Sequence, residues 1–98
     1  MCGIFGYVGK RDSSSILLKG LERLEYRGYD SSGIATLQNK TIEYVKTIGR
    51  VVELQPLIKQ SNLMGKVGIA HTRWATHGEP ILKNSHPHNS KCVSIAHN

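Results

Sequence analysis

The sequence has no apolar run near the ~20 residues needed to cross a bilayer. No secretory leader is expected either, because Cys2-Gly3 and then Lys10-Arg11 interrupt the opening apolar segment. Membrane association is therefore not expected. Cysteine is scarce: Cys2 and Cys92 are too few for a disulfide framework, and without an export signal both are expected as free thiols in a reducing, cytoplasmic setting. Acidic residues are few, 7 against 13 Lys and Arg, for a formal charge of +6. The basic residues are dispersed, with Lys10-Arg11 the one adjacent pair, and no basic run interleaves with aromatics. The charge reads as a solvated surface, not a nucleic-acid interface. Repeats and low-complexity linkers are also missing. Ninety-eight residues hold at most one domain, and a chain of that size covers only ~60–70% of its unfolded surface.

What is present begins at the second residue. Methionine is usually trimmed before a small residue, which would leave Cys2 with both a thiol and a free α-amine. With pKa values of ~8.5 and ~7.7–8.0, the two can exchange a proton cheaply near neutral pH. An N-terminal residue whose own amine serves as base is one known form of activated nucleophile. Ile4, Phe5, Tyr7 and Val8 read as a short buried strand, with Gly3, Gly6 and Gly9 permitting close backbone approach.

Asp12 and Ser13 offer N-cap oxygens, and Ile16, Leu17, Leu21 and Leu24 fall at helical spacing, so a helix is expected from about Ser13 to Tyr26 with Gly28 ending it. Tyr29 to Gly33 reads as a loop. Ile34–Gln38 and Thr41–Ile48, joined by Asn39-Lys40, read as a hairpin. Val52, Leu54, Leu57 and Ile58 suggest a second helix with Pro56 in its first turn. Val67–His71 and Cys92–His97 are the remaining strands, the latter burying Cys92 as a residue without catalytic duty. The order is a mixed pattern of strands and helices. The last strand runs straight into Asn98, and so abrupt an end is expected of a piece of something longer.

Thr72 to Pro80 is dense in hydrogen-bonding side chains. Arg73 could hold a carboxylate in a bidentate fork, Thr76 and His77 add short-range donors, and Gly78 and Pro80 shape the loop. His86-Pro87-His88 invites a metal reading, but no cysteine or carboxylate neighbour completes a ligand set at recognisable spacing. A histidine partner for Cys2 is conceivable, although the spacing does not say which of the five would reach it and the α-amine makes one unnecessary. Asn98 is a candidate oxyanion donor through its side-chain amide.

Together Cys2-Gly3-Ile4-Phe5-Gly6, Glu25-Tyr26-Arg27-Gly28-Tyr29-Asp30-Ser31-Ser32-Gly33 and His71-Thr72-Arg73-Trp74-Ala75-Thr76-His77-Gly78-Glu79-Pro80 resemble the class II glutamine amidotransferases, members of the N-terminal-nucleophile hydrolases. Asn84 to His88 and Ala96-His97-Asn98 fit the same pattern, so the resemblance covers the whole chain. The wording of Tyr26 to Asp30 and His71 to Gly78 closely resembles the branch that aminates fructose 6-phosphate to glucosamine 6-phosphate. The amidophosphoribosyltransferase branch is similar at Cys2 and Arg27-Gly28 but usually lacks Trp-Ala-Thr-His.

The resemblance implies an α+β fold, the N-terminal part of a four-layer αββα sandwich, in residues 1–98. It implies that Cys2 attacks the side-chain amide of L-glutamine and that Asn98 donates to the oxyanion. Arg73, Thr76 and His77 would bind the substrate, with Trp74 at the mouth of an ammonia channel and Arg27 and Gly28 at the pocket floor. It implies no metal or other cofactor and a homo-oligomeric parent. The glycine after Asn98, the acidic residue for the glutamine amine, and the sugar-phosphate isomerase domains would lie outside these residues, so the piece alone is expected to be inactive. The alternatives are a non-catalytic glutamine-binding module and a basic nucleic-acid-binding domain.

Overall fold

The computed structural model describes residues 2–27, 29–75 and 78–97, the Arg27 side chain excepted. Its centre is a four-stranded antiparallel sheet of order β1-β4-β2-β3, built from β1 (Gly3–Val8), β2 (Ser31–Gln38), β3 (Thr41–Ile48) and β4 (Val67–Arg73). The helix α1 (Ser13–Leu24) continues as a 3-10 turn over Glu25–Arg27, and α2 (Leu54–Ser61) follows a 3-10 turn over Val51–Glu53. A two-residue ladder, β5 (His88–Asn89) with β6 (Ser94–Ile95), stands apart from the main sheet.

The local chemistry explains the elements. Asp12 caps α1, accepting from the Ser14 N–H at 3.5 Å and the Ser14 hydroxyl at 2.8 Å. Asn39 and Lys40 both adopt positive φ, 51° and 66°, as a two-residue turn matched to strand twist requires, and Gln38 pairs Thr41 across it. Pro56 sits in the first turn of α2, where its missing N–H breaks no helical bond. Asn62 ends that helix in the left-handed conformation, and Leu63 N–H reaches back to the Ile58 carbonyl at 3.1 Å. Gly28, expected to end α1, lies outside the described residues.

One face of the sheet carries the core. Leu17 and Leu21 of α1, Val51, Leu54 and Leu63 pack on Ile34, Val45 and Ala70, with Phe5, Tyr7, Leu57 and Ile58 around them. Contact is close where glycines permit it: a Cβ on Gly20 would lie 2.6 Å from the Phe5 ring, and one on Gly68 2.6 Å from Leu17. The opposite face presents Ile69, Leu37, Ile42 and Val67 beside Cys92, lining a shallow apolar groove of about 220 Å³ at the end of β4 away from Arg73.

Several expectations need correction. β1 is not a buried strand: it is the sheet edge, Phe5 and Tyr7 face the core, and Ile4 and Val8 are exposed on the other side. The segment read as a loop over residues 29–33 enters β2 at Ser31, because pairing to both β3 and β4 supplies the backbone partners that its composition does not advertise. β4 runs on through Arg73. The strand expected over Cys92–His97 is reduced to Ser94–Ile95, and Cys92 is exposed, not buried, since the segment lies against the outer face without joining the main sheet.

Candidate active site

The end of β4 brings the candidate residues together. Gly3 pairs Thr72 in the antiparallel register, so Cys2 arrives beside the residues that follow Arg73. The Trp74 N–H donates to Cys2 Sγ at 3.4 Å, and the thiol lies 3.8 Å from the Trp74 carbonyl oxygen. Cys2 is a free thiol and half-buried.

Arg73 is 7% exposed, and the loop read over Thr72 to Pro80 begins later than expected: Thr72 and Arg73 are buried members of the sheet. The guanidinium donates to the Glu79 carbonyl at 3.0 Å, which Asn84 also reaches at 3.0 Å, folding the 78–84 segment back over the arginine. Gly78 makes this reversal at φ +78°. On the other side Asp30 grips the strand end. Its N–H donates to the Arg73 carbonyl at 2.7 Å, its carboxylate accepts the Ala75 N–H at 2.5 Å, and its other oxygen lies 3.9 Å from Arg73 Nη1. Trp74 is half-exposed beside these groups. Thr76, His77 and Asn98, the Arg27 side chain and Gly28 lie outside the described residues.

Two features escaped the sequence reading. Asp30 stood inside a quoted motif, but its grip on residues 73 and 75 depends on strand pairing that no local pattern reveals. His71, an alternating member of a short apolar strand, is fully buried and stacks on His86, with ring centroids 4.4 Å apart. His88 lies 4.3 Å and His97 6.2 Å from the His86 ring. Burial first, then the neighbouring cations, hold His71 and His86 down from 6.5 to about 4. Among the described residues no cluster suits a metal ion.

The chemistry on offer is thus a half-buried thiol with a backbone N–H at its sulfur and a buried guanidinium one residue away in the chain. No family model matches the chain. It is 51% identical over 100 residues to a glutamine–fructose-6-phosphate aminotransferase (isomerizing) of Clostridium tetani, a match over 100% of this chain and 16% of that protein. It is 56% identical over 97 residues to the protein of that name from Bacteroides thetaiotaomicron, again over 16% of its length. Among solved structures, a glutamine phosphoribosylpyrophosphate amidotransferase from B. subtilis superposes with a TM-score of 0.74 at 28% identity, over 89% of this chain and 18% of that one. The chain therefore spans about one-sixth of the curated relatives' length. Along that span it is a homologue of the glutamine–fructose-6-phosphate aminotransferases, with the α+β N-terminal-nucleophile-hydrolase fold of the class II glutamine amidotransferases.

Proposed function

We propose that this chain is the nucleophile-bearing part of a glutaminase that supplies ammonia for the conversion of fructose 6-phosphate to glucosamine 6-phosphate. The observation that carries the reading is the Trp74 N–H at 3.4 Å from Cys2 Sγ, immediately beyond the buried Arg73. With Met1 removed, the Cys2 α-amine takes the thiol proton and the sulfur attacks the side-chain amide carbon of glutamine. The C–N bond breaks, ammonia leaves with a proton, and water releases glutamate from the thioester. Arg73, with Thr76 and His77, holds the α-carboxylate, and Asn98 steadies the oxyanion. Arg27 and Gly28 form the pocket floor, and Trp74 stands where ammonia departs. A free thiol in this role fits a reducing cytoplasm, and the parent is proposed to act as a homo-oligomer.

The amidophosphoribosyltransferase reading rests on the B. subtilis superposition at 28% identity. Identities of 51% and 56% favour the fructose-6-phosphate branch. Residues 1–98 alone are proposed not to turn glutamine over: the sheet face bearing Ile4, Leu37, Tyr44, Ile48 and Val67 is left exposed, and the remaining oxyanion and amine-holding groups are expected elsewhere in the full-length protein.

The test is Cys2→Ala and Cys2→Ser in the full-length protein. Glutamine-dependent synthesis should vanish and ammonia-dependent synthesis persist, because the thiol serves only to release ammonia. Equal loss of both activities would contradict that division, and retained glutamine hydrolysis would remove Cys2 from the chemistry.

A further inference from the structure

The function proposed above uses the Arg73 guanidinium but not the groups that set its plane. Three donors meet at the Glu79 carbonyl oxygen: Arg73 Nη1 at 3.0 Å, Asn84 Nδ2 at 3.0 Å and the Ile81 N–H at 2.8 Å. Residues 78–80 are exposed, so packing does not aim this carbonyl and its hydrogen bonds must. The Ile81 bond is local and travels with the loop. Among the described residues, Asn84 is therefore the tie that can hold the carbonyl in place independently of Arg73.

Asn84 is itself anchored to the sheet. It closes a 3-10 turn over Leu82–Asn84, and its N–H donates to the Ile81 carbonyl at 3.0 Å. The next residue, Ser85, is fully buried. Its hydroxyl donates to the Leu82 carbonyl at 2.6 Å, and its carbonyl accepts from Lys46 Nζ of β3 at 3.0 Å. His86 follows against β2, where any Cβ on Gly33 would run into the His86 carbonyl. The amide of Asn84 and the guanidinium also flank the same glycine: a Cβ on Gly78 would lie 3.1 Å from Asn84 Nδ2 and 3.5 Å from Arg73 Nη2.

A guanidinium is a rigid planar fork, so holding Nη1 fixes the plane in which the fork can meet a carboxylate. We infer that Asn84 is a positioning residue for glutamine binding: its amide holds the Glu79 carbonyl on Arg73 Nη1 and so presets the plane of the guanidinium that clamps the substrate's α-carboxylate. The inference rests on the role of Arg73 given under the proposed function. The α-carboxylate is remote from the reacting amide and is held alike in ground and transition states. Loss of the preset plane therefore raises KM and spares kcat.

The test compares Asn84→Leu with Asn84→Gln in the full-length protein. Leucine keeps the branch at Cγ and cannot donate, while glutamine keeps the amide on a stem one carbon longer. The leucine variant should show KM for glutamine raised about three- to tenfold, the worth of one net hydrogen bond, with kcat within about twofold. The glutamine variant should recover most of the loss. In an Arg73→Lys background the leucine substitution should change KM by less than about twofold, because the fork it orients is gone. A bond that merely holds the loop together would still weaken glutamine binding there. An unchanged KM in Asn84→Leu, an equal rise in both variants, a loss confined to kcat, or a full effect persisting beside Arg73→Lys overturns the inference. So does a leucine variant that cannot fold, because the bond is then a structural tie. Arg73→Lys alone separates the levels. If it leaves KM unchanged, the proposed clamp itself fails; if it raises KM while Asn84→Leu does not, only the inference falls.

Discussion

Asp30 and Arg73 hold each other at two levels: the Asp30 N–H donates to the Arg73 carbonyl at 2.7 Å, and the Asp30 carboxylate lies 3.9 Å from the guanidinium. The same carboxylate accepts the Ala75 N–H, so one acid orders both the proposed carboxylate clamp and the chain just after it. Asp30→Ala removes the acceptor and the charge together. KM for glutamine should rise about ten- to hundredfold, as expected for loss of a charge-assisted hydrogen bond at ~1.5–3 kcal/mol. Asp30→Asn keeps an acceptor for Ala75 and should fall between. Steady-state kinetics check this, and an alanine variant with unchanged KM would show that Asp30 does not order the clamp.

Arg73→Lys keeps the positive charge and loses the fork. Lysine can neither grip a carboxylate with two parallel N–H groups nor hold the Glu79 carbonyl in the same geometry, 3.0 Å from Nη1. KM for glutamine should rise about ten- to hundredfold, with ammonia-dependent synthesis untouched. An unaltered glutamine KM would rule Arg73 out as the clamp.

The sequence exposed whatever was carried by neighbours in the chain. Asp12 and the Leu17/Leu21 spacing marked α1, Asn39-Lys40 marked the hairpin, and Pro56 fell where a first turn tolerates it. Cys2 and Arg73 were legible as motif members. What failed was set by distant partners. Ser31 and Ser32 look like turn residues, yet both are fully buried because β3 and β4 pair with them from either side. Cys92–His97 alternates like a strand, yet among the described residues only Ser94 and Ile95 find strand partners, in His88–Asn89. The Asp30 grip and the bond from His71 to His97 likewise join segments that no periodicity links.

Glu25 offers a prediction about stability. Its carboxylate accepts the N–H of Val51 at 2.8 Å and the Arg50 guanidinium at 3.1 Å, tying the end of α1 to the turn that begins α2. Val51 is fully buried, so its N–H has little access to water as a substitute. Glu25→Ala should cost ~1–2 kcal/mol, the usual range for losing a capping acceptor. Arg50 is exposed, so solvent screens its ion pair and Arg50→Ala should cost little beside the loss of the Glu25 acceptor. Denaturant melts decide it: a larger loss at Arg50 would mean that the ion pair, not the backbone bond, does the holding.

Gly20→Ala sets two effects against each other. In an exposed helix alanine would gain ~1 kcal/mol over glycine. Here the new methyl would stand 2.6 Å from the Phe5 ring, inside any tolerable contact, and Phe5 is pinned between α1 and the sheet. Overpacking costs ~1–3 kcal/mol, so the net effect should be destabilising. A raised melting temperature would show that Phe5 moves aside freely.

The histidine stack should make the fold sensitive to acid. His71 and His86 have their pKa lowered from 6.5 to about 4, chiefly by burial, and His88 is lowered in the same direction. The charges facing them are all basic: Arg73 on the sheet, Lys46 on β3, and the other rings of the stack. A proton on one ring therefore meets repulsion and no compensating carboxylate among these groups. The sign follows from linkage. Between pH 6.5 and about 4 the unfolded chain binds protons that the folded chain refuses, so stability falls as pH drops through that window and levels off below it. Solvent screening moderates the effect at the less enclosed His86 and His88. The melting temperature should fall from pH 7 to pH 4.5, and His86→Leu should make that fall shallower, because one of the rings that must stay neutral is gone. Carboxylates titrating in the same range would affect both proteins alike, so the difference between the two slopes isolates the stack. Identical slopes would place the acid sensitivity elsewhere.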